Sequence, residues 1–280
     1  IQLLDVERLM GRRLGRIHDS HEALAAVTAA QHAGFERINI DLMHGLPGQS
    51  PAMALVDLEQ AIAHEPPHLS WYQLTVEPNT AFHRAPPRLP AEDELAEIQD
   101  RGEELLARHG YVQYEVSAWA RPGRACRHNL NYWRFGDYIG IGAGAHGKLT
   151  LAAGARVLRT RRTRVPRDYL AGPVAATRTT SEVPAGELAL EFLMNALRLR
   201  EGVDAADFAA RTGLSLATIA APLARTGAGV GRVEVAGFPV GRRLRVASGH
   251  DVRDLLFVDG FELDQRLGHP VQLLEVARQD

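Results

Sequence analysis

The sequence predicts an α/β fold followed by a small α+β C-terminal domain, and two observations predict it. Strand and helix patterns alternate over residues 1–118, at intervals of roughly 30 to 40 residues, the spacing of parallel strands joined by helices. Helical periodicity returns at residues 184–200 and is followed by a helix-turn-helix outline, which indicates a second domain.

The sequence predicts a strand before residue 45 and a well-bounded helix after it. Residues 37–42 alternate apolar and polar side chains, the two-residue period of a strand with unlike faces. Ser50 supplies an N-cap and Pro51 a first-turn proline for a helix that runs to about His64. A second strand is predicted at residues 69–76.

The next helix is predicted from the charges at its two ends. Residues 92–94 are acidic, residues 108 and 109 are basic, and Gly110 follows them. This order matches the helix dipole and the preference for glycine just after a helix. The third strand is predicted at residues 111–117.

Polar side chains recur on all three predicted strands. They are Asn39, Asp41, Gln73, Thr75, Gln113, Glu115 and Ser117. A strand covered by helices on both faces should be apolar throughout, so these polar rows need a wet or ligand-filled space. A barrel whose polar rows face a lumen provides that space and puts the site at the carboxyl ends of the strands. A half-solvated mixed sheet is the alternative.

The composition of the sequence divides the whole chain into three parts. Residues 1–150, which end in a turn-rich segment with many glycines, are assigned to the barrel. Residues 151–235 are assigned to the second domain, because two short helices across a turn at 212–215 have a winged-helix outline. The second of these helices has few basic residues, which favours packing over DNA binding. Residues 236–280 stay unassigned.

Composition excludes several classes of protein. The 280 residues carry 32 basic and 34 acidic side chains, a net charge of -2. The chain as a whole therefore has no positive potential that would attract nucleic-acid phosphates or an anionic membrane. The one cysteine, Cys126, cannot form an internal disulfide and fits a reducing cytoplasm. No stretch approaches the roughly 18 to 20 apolar residues that span a bilayer. We expect a cytoplasmic protein, and, because the chain begins at Ile1 rather than methionine, an upstream segment in the full-length protein.

Residues 142–147 match the dinucleotide-binding pattern GxGxxG. That pattern works by opening a helix whose N-terminus holds a pyrophosphate, with an acidic residue about 20 positions later. Here no convincing helix follows, and Arg162 stands where the acidic residue is needed. Close backbone packing is the preferred interpretation; a nucleotide-binding or regulatory module is kept as an alternative function.

Residues 128–133, HNLNYW, gather an imidazole, two amides and two aromatic rings. A planar hydrophobic ligand would use this mixture, because an imidazole ligates iron, rings stack and amides orient an edge. A structural histidine is the alternative. Covalent c-type haem attachment is excluded because CxxCH is absent.

Two charged residues are candidates for binding a zwitterionic small molecule. Asp41 lies at a strand end and Arg16 lies upstream of it. A carboxylate would hold an ammonium or a hydroxyl, and a guanidinium would bind a carboxylate through two parallel N–H donors. An ordinary ion pair is the alternative for either residue.

Several segments of the sequence resemble one known family. They are LGRIH at 14–18, DLMHGLP at 41–47, LSWYQL at 69–74, EPNT at 77–80 and HNLNYWRFGDYIGIG at 128–142. Together they resemble the HemW-type haem chaperones, in the coproporphyrinogen-oxidase-like branch of the radical SAM superfamily. The likeness runs in order over residues 14–200, is most specific up to Gly147, and is lost near the C-terminus.

The resemblance implies a partial parallel (β/α) radical SAM barrel that binds S-adenosylmethionine, with a winged-helix-like domain after it. By their place in the motifs, Arg16 and Asp41 look like the family's contacts to this cofactor, and Thr75 lies where a strand passes it. Gln2 resembles a further contact at a longer spacing. The family's CxxxCxxC motif is absent here, so a 4Fe-4S cluster is expected only in the full-length protein and no metal site in this chain.

The resemblance also implies a function: a chaperone that binds haem and transfers it to haem-dependent respiratory enzymes. His128 would bind haem, and Tyr132 and Trp133 would shape its pocket. The enzyme alternative is an oxygen-independent coproporphyrinogen III oxidase of porphyrin biosynthesis. This chain alone should carry out no radical chemistry, because one thiolate cannot hold the cluster, and no catalytic residue is assigned. We expect no nucleic-acid partner, and at most a peripheral association with the membrane.

Overall fold

In the computed structural model, the described residues are 2–3, 20–151, 156–173, 177–219, 233–238 and 241–246. Their side chains are described for residues 24–151, 156–173 and 177–219. The chain divides into two compact units, Ile1–Cys126 and Arg127–Asp280. This division falls before residue 150, where the sequence analysis placed the end of the barrel.

A five-stranded sheet forms the described framework of the N-terminal unit, in the order β1-β2-β3-β5-β4. The strands are β1 (Gln2–Leu3), β2 (Asn39–His44), β3 (His68–Gln73), β4 (Val112–Glu115) and β5 (Ala118–Ala120). The helices are α1 (Ser20–His32), α2 (Pro51–Ala63), α3 (Ala81–Arg84) and α4 (Glu92–Arg108). Strands β1, β2 and β3 are parallel neighbours, so the predicted α/β arrangement of parallel strands joined by helices is confirmed.

The predicted helix boundaries follow from local chemistry. Helix α2 begins after Ser50, whose hydroxyl accepts a hydrogen bond from the amide of Met53 at 3.3 Å. Helix α4 has three acidic residues in its first turn and Arg108 in its last. Gly110, just beyond it, has a φ of +78°, which glycine adopts at little cost.

One face of the sheet packs against the helices to form the core of this unit. The core includes Ile40, Leu42, Leu58, Leu69, Trp71, Ile98 and Leu106. Gly102 lets α4 lie directly on the indole of Trp71, because a Cβ at this position would be 1.8 Å from Cη2 of that ring. The opposite face carries Asn39 and Asp41 of β2, as predicted from the sequence, and His68, Ser70 and Tyr72 of β3. Gln73, predicted for the polar row of the second strand, shares the alternation of the buried Leu69 and Trp71 instead, so that part of the prediction was wrong.

The third predicted strand is divided, and its expected place was wrong. Strand β4 ends at Glu115, and β5 returns antiparallel to both β4 and β3. The neighbour of β3 on this side is therefore β5 rather than a parallel strand. The second predicted strand also ends early, since β3 stops at Gln73 and Thr75 lies beyond it.

The C-terminal unit contains two antiparallel sheets. In the first, β6 (His146–Leu151), β7 (Arg156–Arg162) and β8 (Arg178–Glu182) pair in that order. In the second, β11 (Gly241–Val246) lies between β10 (Val233–Phe238) and β9 (Val203–Asp204). The helices are α5 (Arg127–Trp133), α6 (Pro166–Ala171), α7 (Ala185–Ala196) and α8 (Ala205–Thr212).

The end of this unit has the winged-helix outline that the sequence predicts. Asp204 caps α8 by accepting a hydrogen bond from the amide of Ala206 at 2.8 Å, and Gly213 ends the helix with a φ of +70°. Residues 217–219 are helical, and β9, β11 and β10 form the accompanying sheet. The strand at 233–238 crosses the end of the predicted second domain at residue 235, and the strand at 241–246 lies in the segment that the sequence left unassigned. The expectations for residues 220–232 and 247–280 lie outside the described residues.

None of the helices among the described residues has both the length and the apolar character that crossing a bilayer requires.

Candidate functional site

Five side chains on the polar face of the N-terminal sheet form one hydrogen-bonded group, called here the polar network. Its members are Asn39, Asp41, His68, Ser70 and Tyr114. Strand register brings them together, since β2 and β3 pair Asn39 with His68 and Asp41 with Ser70. Four of its members therefore follow directly from two parallel strands whose polar residues recur with a period of two, and Tyr114 joins them from β4.

The distances in the network define a chain of hydrogen bonds. Nδ2 of Asn39 donates to Oδ1 of Asp41 at 2.9 Å. Oδ1 of Asn39 lies 2.6 Å from Nδ1 of His68 and 3.2 Å from the hydroxyl of Ser70. On its other side, Nε2 of His68 lies 2.8 Å from the hydroxyl of Tyr114.

Burial keeps His68 neutral in this group. The residue is 6% exposed, and desolvation lowers the pKa of its imidazole from 6.5 to about 4, against the opposing effect of the Asp41 charge. A neutral imidazole has one N–H and one lone pair. It can therefore donate to Asn39 while accepting from Tyr114.

The residues proposed as cofactor contacts are placed as follows. Gln2 stands opposite Asp41 in the register of β1 and β2, so these two are brought together on neighbouring strands. Thr75 lies exposed beyond β3, where its hydroxyl donates to Glu77 at 3.1 Å. Arg16 lies outside the described residues.

Sequence analysis missed three members of the polar network: His68, Ser70 and Tyr114. Two of them carried a usable signal, because His68 and Ser70 alternate with the buried Leu69 and Trp71. Starting the second strand one residue earlier would have placed both beside Asn39 and Asp41. Tyr114 had no such signal, because its contact depends on how β4 and β5 fold back.

The polar side chains predicted on the third strand form hydrogen bonds within their own turn rather than with the polar network. Glu115 is 2% exposed and accepts a hydrogen bond from the hydroxyl of Ser117 at 3.2 Å. The amide of Gln113 donates to the carbonyl of Val116 at 3.1 Å. These side chains stabilise the turn between β4 and β5.

In the C-terminal unit, three rings form a row that begins at the HNLNYW segment. The imidazole of His128, exposed at the start of α5, lies 4.7 Å from the ring of Tyr132, and that ring lies 4.5 Å from the ring of Tyr138. We call these three residues the aromatic row. Burial raises the pKa of both tyrosine hydroxyls, so both are neutral phenols at physiological pH.

A partly buried ion pair supports the far end of the aromatic row. Nη1 of Arg159 donates to the hydroxyl of Tyr138 at 3.0 Å, and the same guanidinium binds the carboxylate of Glu191. Arg159 is thus a partly buried, paired residue within the arginine-rich residues 156–164.

Trp133 packs inward from the end of α5. Its ring lies 4.3 Å below the guanidinium of Arg198, a cation–π contact. Its Nε1 is buried and has no hydrogen-bond partner within the described part of the chain. These contacts anchor the helix that carries His128.

The turn after α5 is held by a buried lysine. Lys148, 1% exposed, donates to the carbonyl of Phe135, to Oδ1 of Asp137 and to the hydroxyl of Thr150, at 3.0, 3.0 and 2.9 Å. The three donors of its ammonium are thereby satisfied. Phe135 has a φ of +54°, and the amide of Gly136 donates to the carbonyl of Asn131 at 2.7 Å.

The glycine-rich segment has no helix after it. Strand β6 begins at His146, the amide of Gly142 donates to the hydroxyl of Tyr169 at 3.2 Å, and the amide of Gly144 donates to the carbonyl of Thr163 at 2.8 Å. A Cβ at Gly140 would lie 2.1 Å from the carbonyl oxygen of His146. Close packing therefore explains Gly140 and Gly147, whereas Gly142 and Gly144 have φ values of +107° and +76°, which favour glycine. The pyrophosphate-binding alternative loses the helix N-terminus that it requires.

The resemblance implies haem, S-adenosylmethionine and an iron–sulfur cluster, and the residues of this chain fit these three groups unequally. An exposed imidazole at His128 fits an axial haem ligand. A half-buried carboxylate at Asp41, already oriented by Asn39, fits a hydroxyl or an ammonium. A four-iron cluster does not fit, because the sequence has one cysteine, and the described residues contain no group of three or more potential metal ligands.

Comparison with known proteins gives consistent results. Residues 183–229 match the family model of the HemN C-terminal domain. The protein named "Heme chaperone HemW" from Escherichia coli K12 is 52% identical over 214 residues, which cover 76% of this chain and 55% of that protein. Its namesake from Haemophilus influenzae is 50% identical over 208 residues, covering 74% and 54%.

The solved structure of Escherichia coli coproporphyrinogen III oxidase, HemN, described as a radical SAM enzyme, is also similar. The TM-score is 0.62 over 88% of this chain and 59% of that chain. At 18% identity, this likeness shows the fold alone, and it confirms the predicted radical SAM type of fold. The chain spans about half the length of the curated relatives that it matches. Over about three quarters of its length the chain is thus a relative of the proteins named heme chaperone HemW, and its fold is of the type seen in HemN.

Proposed function

We propose that this chain serves as a haem carrier, which binds haem at α5 and transfers it to haem-dependent respiratory proteins. The observation that carries the proposal is the exposed imidazole of His128 at the start of a helix whose next turn presents an aromatic ring to it. The name of the relatives, heme chaperone, supports the same function. The one cysteine of the sequence supports a cytoplasmic location.

Each residue of the HNLNYW segment has a distinct part in this proposal. His128 supplies the nitrogen that ligates the haem iron. Tyr132 holds the imidazole edge-on and offers an apolar ring surface beside it. Trp133 shapes the site indirectly, because its contact with Arg198 fixes the end of the helix.

We further propose a site for S-adenosylmethionine on the polar face of the N-terminal sheet. Asp41 would hold a hydroxyl or the ammonium of the ligand, and Gln2, Arg16 and Thr75 would supply further contacts. The position of Gln2 beside Asp41 supports this assignment. In the full-length protein, an iron–sulfur cluster would supply reducing electrons; the single thiol of this chain cannot hold one.

Haem titration tests the proposed function. Ferric haem is added to the wild-type chain and to the His128→Ala and Trp133→Ala variants, and the Soret band is followed. His83→Ala, which removes another exposed histidine on a helix of the N-terminal unit, is the matched control.

We expect saturable binding by the wild type and by His83→Ala. We expect a shifted Soret band and an affinity at least about tenfold weaker for His128→Ala. Trp133→Ala should weaken binding less than His128→Ala, because this residue acts through the helix. An unchanged spectrum and affinity in His128→Ala would remove the assignment of the haem ligand.

A further inference from the structure

We propose that His68 is a positioning residue for the Asp41 carboxylate and acts through Asn39. The inference rests on the proposed S-adenosylmethionine site and adds to it residues that hold, rather than touch, the ligand. It is independent of the haem site on α5.

The first step is the contact between Asn39 and Asp41. Both lie on the same face of β2, two residues apart, and Nδ2 of the amide donates to Oδ1 of the carboxylate at 2.9 Å. This bond fixes the rotation of the carboxylate and occupies one of its oxygens. The second oxygen, Oδ2, is thereby presented in a defined direction to a ligand hydroxyl or ammonium.

The second step is the orientation of the Asn39 amide. Its Oδ1 faces two donors, Nδ1 of His68 at 2.6 Å and the hydroxyl of Ser70 at 3.2 Å. Rotating the amide by half a turn would place Oδ1 against the Asp41 carboxylate and Nδ2 against these donors. The contact with the Asp41 carboxylate would then be repulsive, because two acceptor oxygens would face each other, so the carboxylate allows one amide orientation.

The third step is the tautomer of His68. An imidazole that donates to Asn39 from Nδ1 must accept at Nε2 if it is neutral, and the hydroxyl of Tyr114 lies 2.8 Å from that nitrogen. The side chain is buried, so water does not compete for either nitrogen. The hydroxyl of Tyr114 can donate to Nε2 and so stabilises the Nδ1–H tautomer, the less common form of an isolated histidine side chain, and this tautomer is the one that Asn39 requires.

Nitrogen-15 NMR of the imidazole in the full 280-residue chain tests the tautomer directly. The proposal predicts a protonated Nδ1 and an unprotonated Nε2 for His68 at pH 7. In Tyr114→Phe we expect the Nδ1–H signature to weaken, because the donor to Nε2 is gone. An Nε2–H tautomer in the wild type would overturn the proposal whatever the ligand affinity.

Ligand affinity tests the consequence for Asp41. S-adenosylmethionine is titrated calorimetrically into the wild type, His68→Asn, His68→Leu, Asp41→Asn and Tyr111→Phe. The asparagine variant keeps an N–H near the position of Nδ1, and the leucine variant removes it. Tyr111→Phe is the control for loss of a buried hydroxyl, since Tyr111 donates to the carbonyl of Pro66 at 2.6 Å, outside the network.

We expect His68→Leu and Asp41→Asn to bind at least about tenfold more weakly than the wild type, and His68→Asn and Tyr111→Phe to stay within about threefold of it. Rescue by asparagine separates positioning from general packing, which both His68 variants disturb. If the wild type binds and all His68 variants bind equally well, positioning is wrong and the cofactor site stands. If the wild type does not bind S-adenosylmethionine, both the site and this inference are wrong.

Discussion

The amide oxygen of Asn39 lies 2.6 Å from Nδ1 of His68, across the parallel pair of strands β2 and β3. This contact is direct evidence that the polar residues of successive strands converge. The imidazole is buried and neutral, whereas the carboxylate two residues after Asn39 remains half-exposed. The same face of the sheet therefore carries a buried, hydrogen-bonded imidazole and, close to it, a carboxylate that a ligand can reach.

The stability of the N-terminal unit should fall in mildly acidic solution because of His68. Its folded-state pKa is about 4, whereas the unfolded chain titrates near 6.5. Between these values the unfolded state binds more protons, so stability rises with pH, is complete above 6.5 and is lost as pH falls toward 4. The shift corresponds to roughly 3 kcal/mol in the free energy of unfolding.

Urea unfolding at pH 7 and pH 4.5 measures this effect. We expect the difference between the two pH values to shrink in His68→Asn, which has no titrating group at this position. An equal loss of stability in wild type and variant would assign the acid sensitivity to other residues.

Removing Asp137 should lower the free energy of unfolding more than removing its partner Lys148. The lysine side chain is 2% exposed and the aspartate side chain 37%. Asp137→Ala leaves a buried charge without its counter-ion and should cost about 3 kcal/mol in the free energy of unfolding. Lys148→Met leaves a carboxylate that water can reach and should cost less. Chemical denaturation of the two variants gives the comparison; equal losses would contradict the burial argument.

A methyl group at Gly102 should destabilise the N-terminal unit. Its Cβ would lie 1.8 Å from the indole of the buried Trp71, so α4 or the ring has to move. We expect Gly102→Ala to lower the free energy of unfolding by about 1 to 3 kcal/mol. Gly186→Ala is the control, because nothing lies within 4 Å of its Cβ position. Thermal unfolding of both variants checks the prediction, and a stable Gly102→Ala protein would refute it.

Tyr138→Phe should weaken haem binding without abolishing it. The substitution removes the hydroxyl that Arg159 donates to but keeps the ring against Tyr132. We expect a loss of affinity smaller than that of His128→Ala, because the aromatic row loosens while the iron ligand remains. Haem titration of the two variants in parallel measures it. A larger loss in Tyr138→Phe would mean that the tyrosine, rather than His128, has the main part.

The features that the sequence predicted correctly depend on local chemistry. The boundaries of α2 follow from Ser50 and Pro51, and β2 follows from its two-residue alternation. The features that it missed depend on distant contacts. The return of β5 beside β3 and the burial of Lys148 against Phe135 leave no periodic signal in the chain.

The candidate sites show the same division. Asp41 and His128 were proposed from motifs, and Asp41 was also marked by the polar row on β2. Tyr114 and Arg159 were missed, because each acts across a sheet on a residue far away in sequence. Residues that hold a site are harder to predict than residues that touch a ligand, since their chemistry is directed at other side chains.

The central claim is that the imidazole of His128 ligates haem, and electron paramagnetic resonance of the ferric haem-loaded chain tests it most directly. The account predicts the signature of a nitrogen-ligated iron in the wild type, its loss in His128→Ala, and its return when free imidazole is added to that variant. The same signal in wild type and His128→Ala, without added imidazole, would contradict the account.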